Sequence, residues 1–133
     1  LLNHVFLPEL PKAIQKRSEV ARQYSEGISN KHIQNPKFSK IEKPCWHLYP
    51  LLVSPENVKS LMAHLTANGI QSGRHYPKLI PHQKAMNSIS FKVSGDMPLA
   101  QKFADGEVSI PMHPYLENSE IERVVKALNS WKP

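Results

Sequence analysis

The residues of this chain best suited to chemistry gather in one short run, Gly73-Arg74-His75-Tyr76-Pro77, which sets a cation, an imidazole and a phenol beside a rigid proline. A guanidinium grips phosphate oxygens in pairs, and imidazole and phenol groups hydrogen-bond sugar hydroxyls and pack against rings, so the run suits a sugar-phosphate ligand. By itself the same run also reads as a surface turn around a buried tyrosine. Histidines at His4, His32, His47, His64, His75, His82 and His113 raise the question of a metal. Only His75 and His82 could converge from one loop, and no HExxH, paired CxxC or carboxylate cluster accompanies them, so the spacing argues against a metal centre. Cys45 and His47 stand two residues apart with no carboxylate to orient them, which argues against a cysteine nucleophile. The five glycines are scattered, and this excludes a Walker or dinucleotide phosphate cradle.

The elements that must carry these residues follow from periodicity. Leu10, Ala13, Ile14, Val20, Ala21 and Tyr24 repeat at helical spacing, with Pro11 suited to a first turn. Residues 25–44 lack a period and read as a long connection with room for one short strand. Trp46–Val53 is apolar on both alternating faces between prolines and predicts a strand, which Pro50 confines to an edge or a bulge. Ser54-Pro55 then opens a helix that carries Val58, Leu61, Met62 and Leu65 on one face before Asn68-Gly69 ends it. After Ile70 a short strand feeds the Arg74–Pro77 loop. Asp96 can cap a helix that turns Leu99, Ala100 and Phe103 inward, Val108–Ile110 is a brief strand, and Ser119 with Glu122 makes a capping box ahead of Ile121, Val124, Val125 and Leu128. Helices alternating with strands predict an α/β fold, a small sheet of about three strands covered by helices.

With 133 residues, 40% of them hydrophobic, the chain can bury one modest core, so residues 1–133 read as a single domain. No run approaches the roughly 20 apolar residues that cross a bilayer, and no signal peptide is evident, so a cytoplasmic protein without membrane contact is expected. One cysteine fits a reducing compartment. The chain opens on Leu1, Leu2, Val5, Phe6 and Leu7 without a methionine, which suggests a piece of a longer protein, and this apolar lead could also pair with a partner. The net charge of +6 is uneven: residues 1–50 carry eight Lys/Arg against four acids, residues 101–133 four against five. That surplus is either a solvated face or an attraction for anions such as nucleic acid, lipid or a phosphorylated metabolite.

Taken in order, several motifs resemble the end of the DegT/DnrJ/EryC1/StrS family. They are Arg17 with Ala21 and Tyr24, Trp46-His47-Leu48-Tyr49-Pro50, Asn68-Gly69-Ile70, His75-Tyr76-Pro77, Gly95-Asp96-Met97-Pro98-Leu99-Ala100 and Ser109-Ile110-Pro111-Met112-His113-Pro114. The resemblance runs from about residue 7 to residue 128. It departs at Pro81-His82-Gln83, where many members place the histidine two residues before the glutamine, and at Gln101, where many have glutamate.

The resemblance implies the carboxy-terminal small domain of a fold type I pyridoxal-phosphate enzyme. Such an enzyme moves an amino group, usually from glutamate, onto a keto sugar of a nucleoside diphosphate, for surface polysaccharides, lipopolysaccharides or antibiotic sugars. Members are typically homodimers, and neither nucleic acid nor a membrane is a partner. The large domain supplies the Schiff-base lysine and most phosphate contacts, so no catalytic or cofactor residue is expected in this chain, and the chain alone is expected to be inactive. By the same match His75 and Tyr76 are candidate substrate contacts, with Arg74 added for its charge. A sister branch of the family dehydrates sugars instead. Apart from the resemblance, a free-standing module that binds an anion or a nucleotide sugar stays open.

Overall fold

The computed structural model describes residues 2–37 and 42–133; Leu1, in the apolar lead, and residues 38–41, in the long connection, lie outside them. Helix α1 (Leu7–Gly27) starts earlier than the periodicity predicts, with a wide helical turn over Leu2–Phe6 leading in. Pro8 therefore occupies the first turn and Pro11 lies inside the helix. Only the carbonyl of Leu7, at the exposed end, loses its donor to Pro11, so the helix continues. Val20, Ala21 and Tyr24 form the buried stripe, while Leu2, Val5, Phe6, Leu7 and Leu10 remain exposed.

Strand β1 (Tyr49–Leu52) is shorter than the Trp46–Val53 expectation and runs antiparallel to β2 (Glu107–Ile110), pairing Tyr49 with Ile110, Pro50 with Ser109, Leu51 with Val108 and Leu52 with Glu107. Pro50 costs the ladder nothing on this side, because the backbone N–H and C=O of Ser109 both turn the other way, to Gly73 at 2.8 and 3.0 Å. On its outer edge, among the described residues, β1 pairs with Gln34 alone, through two backbone hydrogen bonds at Leu52. The fold is α/β with a small sheet and covering helices, as expected, and among the described residues the sheet has two strands where about three were expected. Where the third was expected, after Ile70, a single bridge joins Gly73 to Ser109. The ladder stops there because the next available donor, the His75 N–H, bonds to the Glu107 carboxylate instead of a backbone carbonyl.

Helix α2 (Val58–Ala67), entered through a tight turn at Pro55–Asn57, buries Val58, Leu61 and Leu65. Helix α4 (Asn118–Ser130) buries Ile121, Val124, Ala127 and Leu128, with Val125 only half-buried. These side chains, with Tyr49, Leu51, Val53, Val108, Ile110 and Trp131, form one core. The capping box lies two residues before the expected one: Glu117 caps the backbone of Glu120, and the Glu120 carboxylate accepts the Glu117 N–H at 2.9 Å. Helix α3 (Pro98–Gly106) begins after Met97, not on an Asp96 cap. Its apolar side also faces outward, with Leu99 82% exposed and Phe103 41%. The helix docks through its small carboxy-terminal residues, Ala104 and Gly106, which allow a close approach that bulkier ones would block. No described helix is long and apolar enough to cross a membrane.

Tyr24 and Tyr49 sit in this core with ring centroids 5.1 Å apart. The Tyr24 hydroxyl donates to the Pro111 carbonyl at 3.0 Å, and the Tyr49 hydroxyl shares a hydrogen bond with Ser25 at 2.8 Å. Burial pushes both phenols above their ordinary range, and for Tyr24 the charge of Glu120 adds to the effect. The fold therefore holds neutral phenols that an unfolded chain would ionise near pH 10. Stability is fully present below that pH and falls as pH rises through it toward the folded values. The urea midpoint should be level to about pH 9 and then decline, and Tyr24→Phe should flatten the decline. An equally steep alkaline slope in Tyr24→Phe would show that Tyr24 is not its source.

Candidate active-site wall

The Gly73–Pro77 run reaches the surface because three consecutive residues are tied to the end of α3 and to β2. Gly73 exchanges two backbone hydrogen bonds with Ser109. Arg74 turns its guanidinium onto the carbonyls of Ala104, Asp105 at 2.9 Å and Glu107 at 3.2 Å. The His75 N–H donates to Glu107 Oε2 at 2.7 Å. Arg74, expected as a substrate contact, is thus engaged as a cation on the last carbonyls of a helix, where the helix dipole favours positive charge. An anion would have to compete with those three acceptors.

His75 is half-buried, and its imidazole lies over Gly73, where an added Cβ would come within 3.1 Å of His75 Cε1. Its ring meets that of Tyr76 edge-on at 5.5 Å, across a cis peptide bond. The His75 Nδ1 atom is buried and has no hydrogen-bond partner among the described residues. Tyr76 is 71% exposed, so the run does not enclose a buried tyrosine.

A groove of about 440 Å³ runs beside this turn, and its lining includes Gln71, Ser72 and His75 together with Leu48, Met112 and His113. The segments that carry Leu48 and Met112 are fixed from α1. Arg17 Nη1 donates to the carbonyls of Trp46 at 2.9 Å, His47 at 3.3 Å and Met112 at 3.3 Å, and the Tyr24 hydroxyl holds Pro111. Trp46, with a left-handed backbone at φ 51°, stacks on Tyr49 at 5.4 Å. The structure therefore brings His75, from the His75-Tyr76-Pro77 motif, and Pro111-Met112-His113 to the lining of one groove. His82, in the same loop as His75, lines a different groove with Leu79 and Gln101.

Sequence reasoning missed Glu107. It is 1% exposed in β2, and its second oxygen accepts the hydroxyl proton of Ser109, itself 4% exposed. The signal was available: in Glu107-Val108-Ser109-Ile110 the two polar residues alternate with apolar ones and must share a strand face.

Pyridoxal phosphate requires a lysine enclosed in a pocket beside it. Every described lysine is exposed, and no three His, Cys, Asp or Glu side chains among the described residues are placed to hold a metal. The described residues do not fit the cofactor's point of attachment.

The model of the DegT/DnrJ/EryC1/StrS aminotransferase family matches residues 2–129. Over 117 residues the chain is 32% identical to the dTDP-3-amino-3,4,6-trideoxy-alpha-D-glucose transaminase of Streptomyces venezuelae, a match covering 87% of this chain and 30% of that protein. It is 31% identical to the dTDP-3-amino-3,6-dideoxy-alpha-D-galactopyranose transaminase of Aneurinibacillus thermoaerophilus, over 88% of this chain and 31% of that protein. The backbone is similar to that of S. venezuelae DesV, crystallised with a ketimine intermediate: the TM-score is 0.84 and the identity 30%, over 94% of this chain and 33% of the other. The chain spans about 30% of the length of these curated relatives. Motif order, fold and family match agree, and the chain belongs to the DegT/DnrJ/EryC1/StrS aminotransferase family.

Proposed function

We propose that residues 1–133 are the carboxy-terminal small domain of a cytoplasmic, homodimeric sugar transaminase that carries an amino group from glutamate to a nucleoside-diphosphate keto sugar. The observation that carries this reading is the groove lined by both His75 and the Pro111–His113 turn, with the buried Nδ1 of His75 lacking a hydrogen-bond partner among the described residues. An unsatisfied buried nitrogen costs about 1–3 kcal/mol, and a turn of the imidazole that presents it to a hydroxyl-rich ligand or a neighbouring domain recovers that energy. The exposed ring of Tyr76 offers a face on which a sugar can lie, and Gln71, Ser72 and His113 supply further polar contacts along the groove. Pyridoxal phosphate, held by the rest of such an enzyme, supplies the electron sink for amino transfer. The part played by residues 1–133 is to bind and orient the sugar and to exclude water on one side of the cleft. Arg74 serves this by fixing the turn rather than by meeting phosphate.

Substitution in the complete polypeptide that carries these residues tests the reading. His75→Ala and Tyr76→Ala should each raise KM for a thymidine-diphosphate keto sugar about tenfold, as expected for the loss of one good contact. Steady-state kinetics indistinguishable from the parent would remove both from the substrate site. Tight binding of nucleotide sugar by residues 1–133 alone would instead favour a free-standing module, because one wall of a cleft should bind weakly.

A further inference from the structure

We infer that Glu107 is the positioning residue of the His75–Tyr76 turn; its kinetic consequence rests on the transaminase reading above, its structural one on geometry alone. Strand β2 turns Val108 and Ile110 into the core, and Glu107 and Ser109 lie on its opposite face. Exposed to water, that face would need no explanation. Here it is covered, and a carboxyl group is 1% exposed with no ion pair to it among the described residues. Burying such a group is unfavourable unless hydrogen bonds compensate, and an apolar β-branched residue would fill the site without that penalty.

What the carboxyl group does there is specific. One oxygen takes the His75 N–H at 2.7 Å, and the other takes the Ser109 hydroxyl, which fixes the carboxyl plane. The ladder closes at the Gly73–Ser109 bridge, two residues before His75, and the Glu107 backbone carbonyl that a continued ladder would offer to the His75 N–H accepts from Arg74 Nε instead. The Glu107 side chain thus stands in for the β2 backbone carbonyl with which a third strand would have paired at His75. With Gly73 bound to Ser109 and Arg74 bound to the end of α3, the carboxyl completes a three-point attachment, and the His75 imidazole and Tyr76 ring project from the attached segment. Glu107 touches neither groove nor ligand, and its effect on a substrate passes through His75.

The amide of glutamine separates this role from a requirement for charge. In Glu107→Gln the carbonyl oxygen can keep the His75 N–H, while the amide NH2 donates to Ser109, whose hydroxyl can rotate to accept. In Glu107→Ala both bonds are lost. Both variants of the complete polypeptide are to be measured by deuterium exchange over residues 71–78 and by kinetics with a thymidine-diphosphate 3-keto-6-deoxyhexose and glutamate as probes. Glu107→Ala should speed exchange in that segment and raise KM for the sugar about tenfold while leaving the glutamate half-reaction within about twofold, and Glu107→Gln should restore both toward the parent. Unchanged exchange and unchanged KM in Glu107→Ala would overturn the inference. So would equal losses in the two variants, or a fall in kcat at constant KM, which marks a charge requirement or a general loss of folded enzyme. If the parent polypeptide fails to aminate the sugar, the transaminase reading fails for that substrate class, and the exchange measurement alone still decides whether Glu107 holds the turn.

Discussion

Gly106→Ala should lower the thermal midpoint of the chain by about 10 °C, corresponding to a loss of about 3 kcal/mol, the upper end of ordinary overpacking. Two effects oppose one another at this position. Alanine in a helix is favoured over glycine by about 0.5–1 kcal/mol, which taken alone predicts stabilisation. Against it, a Cβ on Gly106 would sit 2.3 Å from the carbonyl oxygen of Val53, a backbone atom that cannot move aside as a side chain can. Relief requires the end of β1 to withdraw from α3, which breaks the Val53 N–H bond to the Gly106 carbonyl at 3.0 Å and disturbs the Leu52–Glu107 pair beside it. Gly69→Ala is the control. That residue has a left-handed φ of 69° and nothing within 4 Å of an added Cβ, so its cost is conformational only, about 1–2 kcal/mol. A melt in which Gly106→Ala matched or exceeded the parent would show that the α3–β1 contact yields more easily than its geometry indicates.

The same contact explains which parts of the fold could be read from the sequence. The buried faces of α2 and α4 were legible because Val58, Leu61 and Leu65, and Ile121, Val124 and Leu128, recur at three- and four-residue intervals against a partner that exists in this chain. Strand β1 was legible because Pro44 and Pro55 bracket its apolar segment, and β2 because Pro111 ends it. Leu99 and Phe103 carry an equally good apolar pattern, yet α3 turns them outward and docks through Ala104 and Gly106. Periodicity shows which residues are apolar and not which neighbour covers them. Arg74 shows the corresponding limit for charge. A guanidinium in a loop suits a phosphate, but the carbonyls at the end of α3 are an equally good set of acceptors and lie 30 or more positions along the chain. His75 and Tyr76 were found from side-chain chemistry and motif resemblance, whereas the attachment beneath them depends on a long-range pairing with Glu107 that local pattern cannot reveal.

The second large effect is expected at Arg17. One nitrogen of its guanidinium serves carbonyls from two separate segments, Trp46 and His47 before β1 and Met112 after β2, and so pins both to α1. These contacts share a donor and cannot be summed as three independent bonds, but a hydrogen bond to a charged group contributes about 1.5–3 kcal/mol, and the one to the Trp46 carbonyl is partly buried. Arg17→Ala should therefore destabilise the chain by about 3 kcal/mol in urea unfolding. The consequence extends to the groove, because Met112, itself pinned, and Leu48, next to the pinned His47, form part of its lining. Lysine provides a useful comparison. All three contacts come from a single nitrogen, so an ammonium could reproduce part of them, although its shorter reach should strain the longer bonds to His47 and Met112. Arg17→Lys is expected to recover about half of the lost stability. Full recovery would mean that the positive charge alone holds the segments, and no recovery would mean that the planar guanidinium is required. A neutral Arg17→Ala would show instead that Tyr24, through its bond to Pro111, is sufficient to hold the groove wall in place.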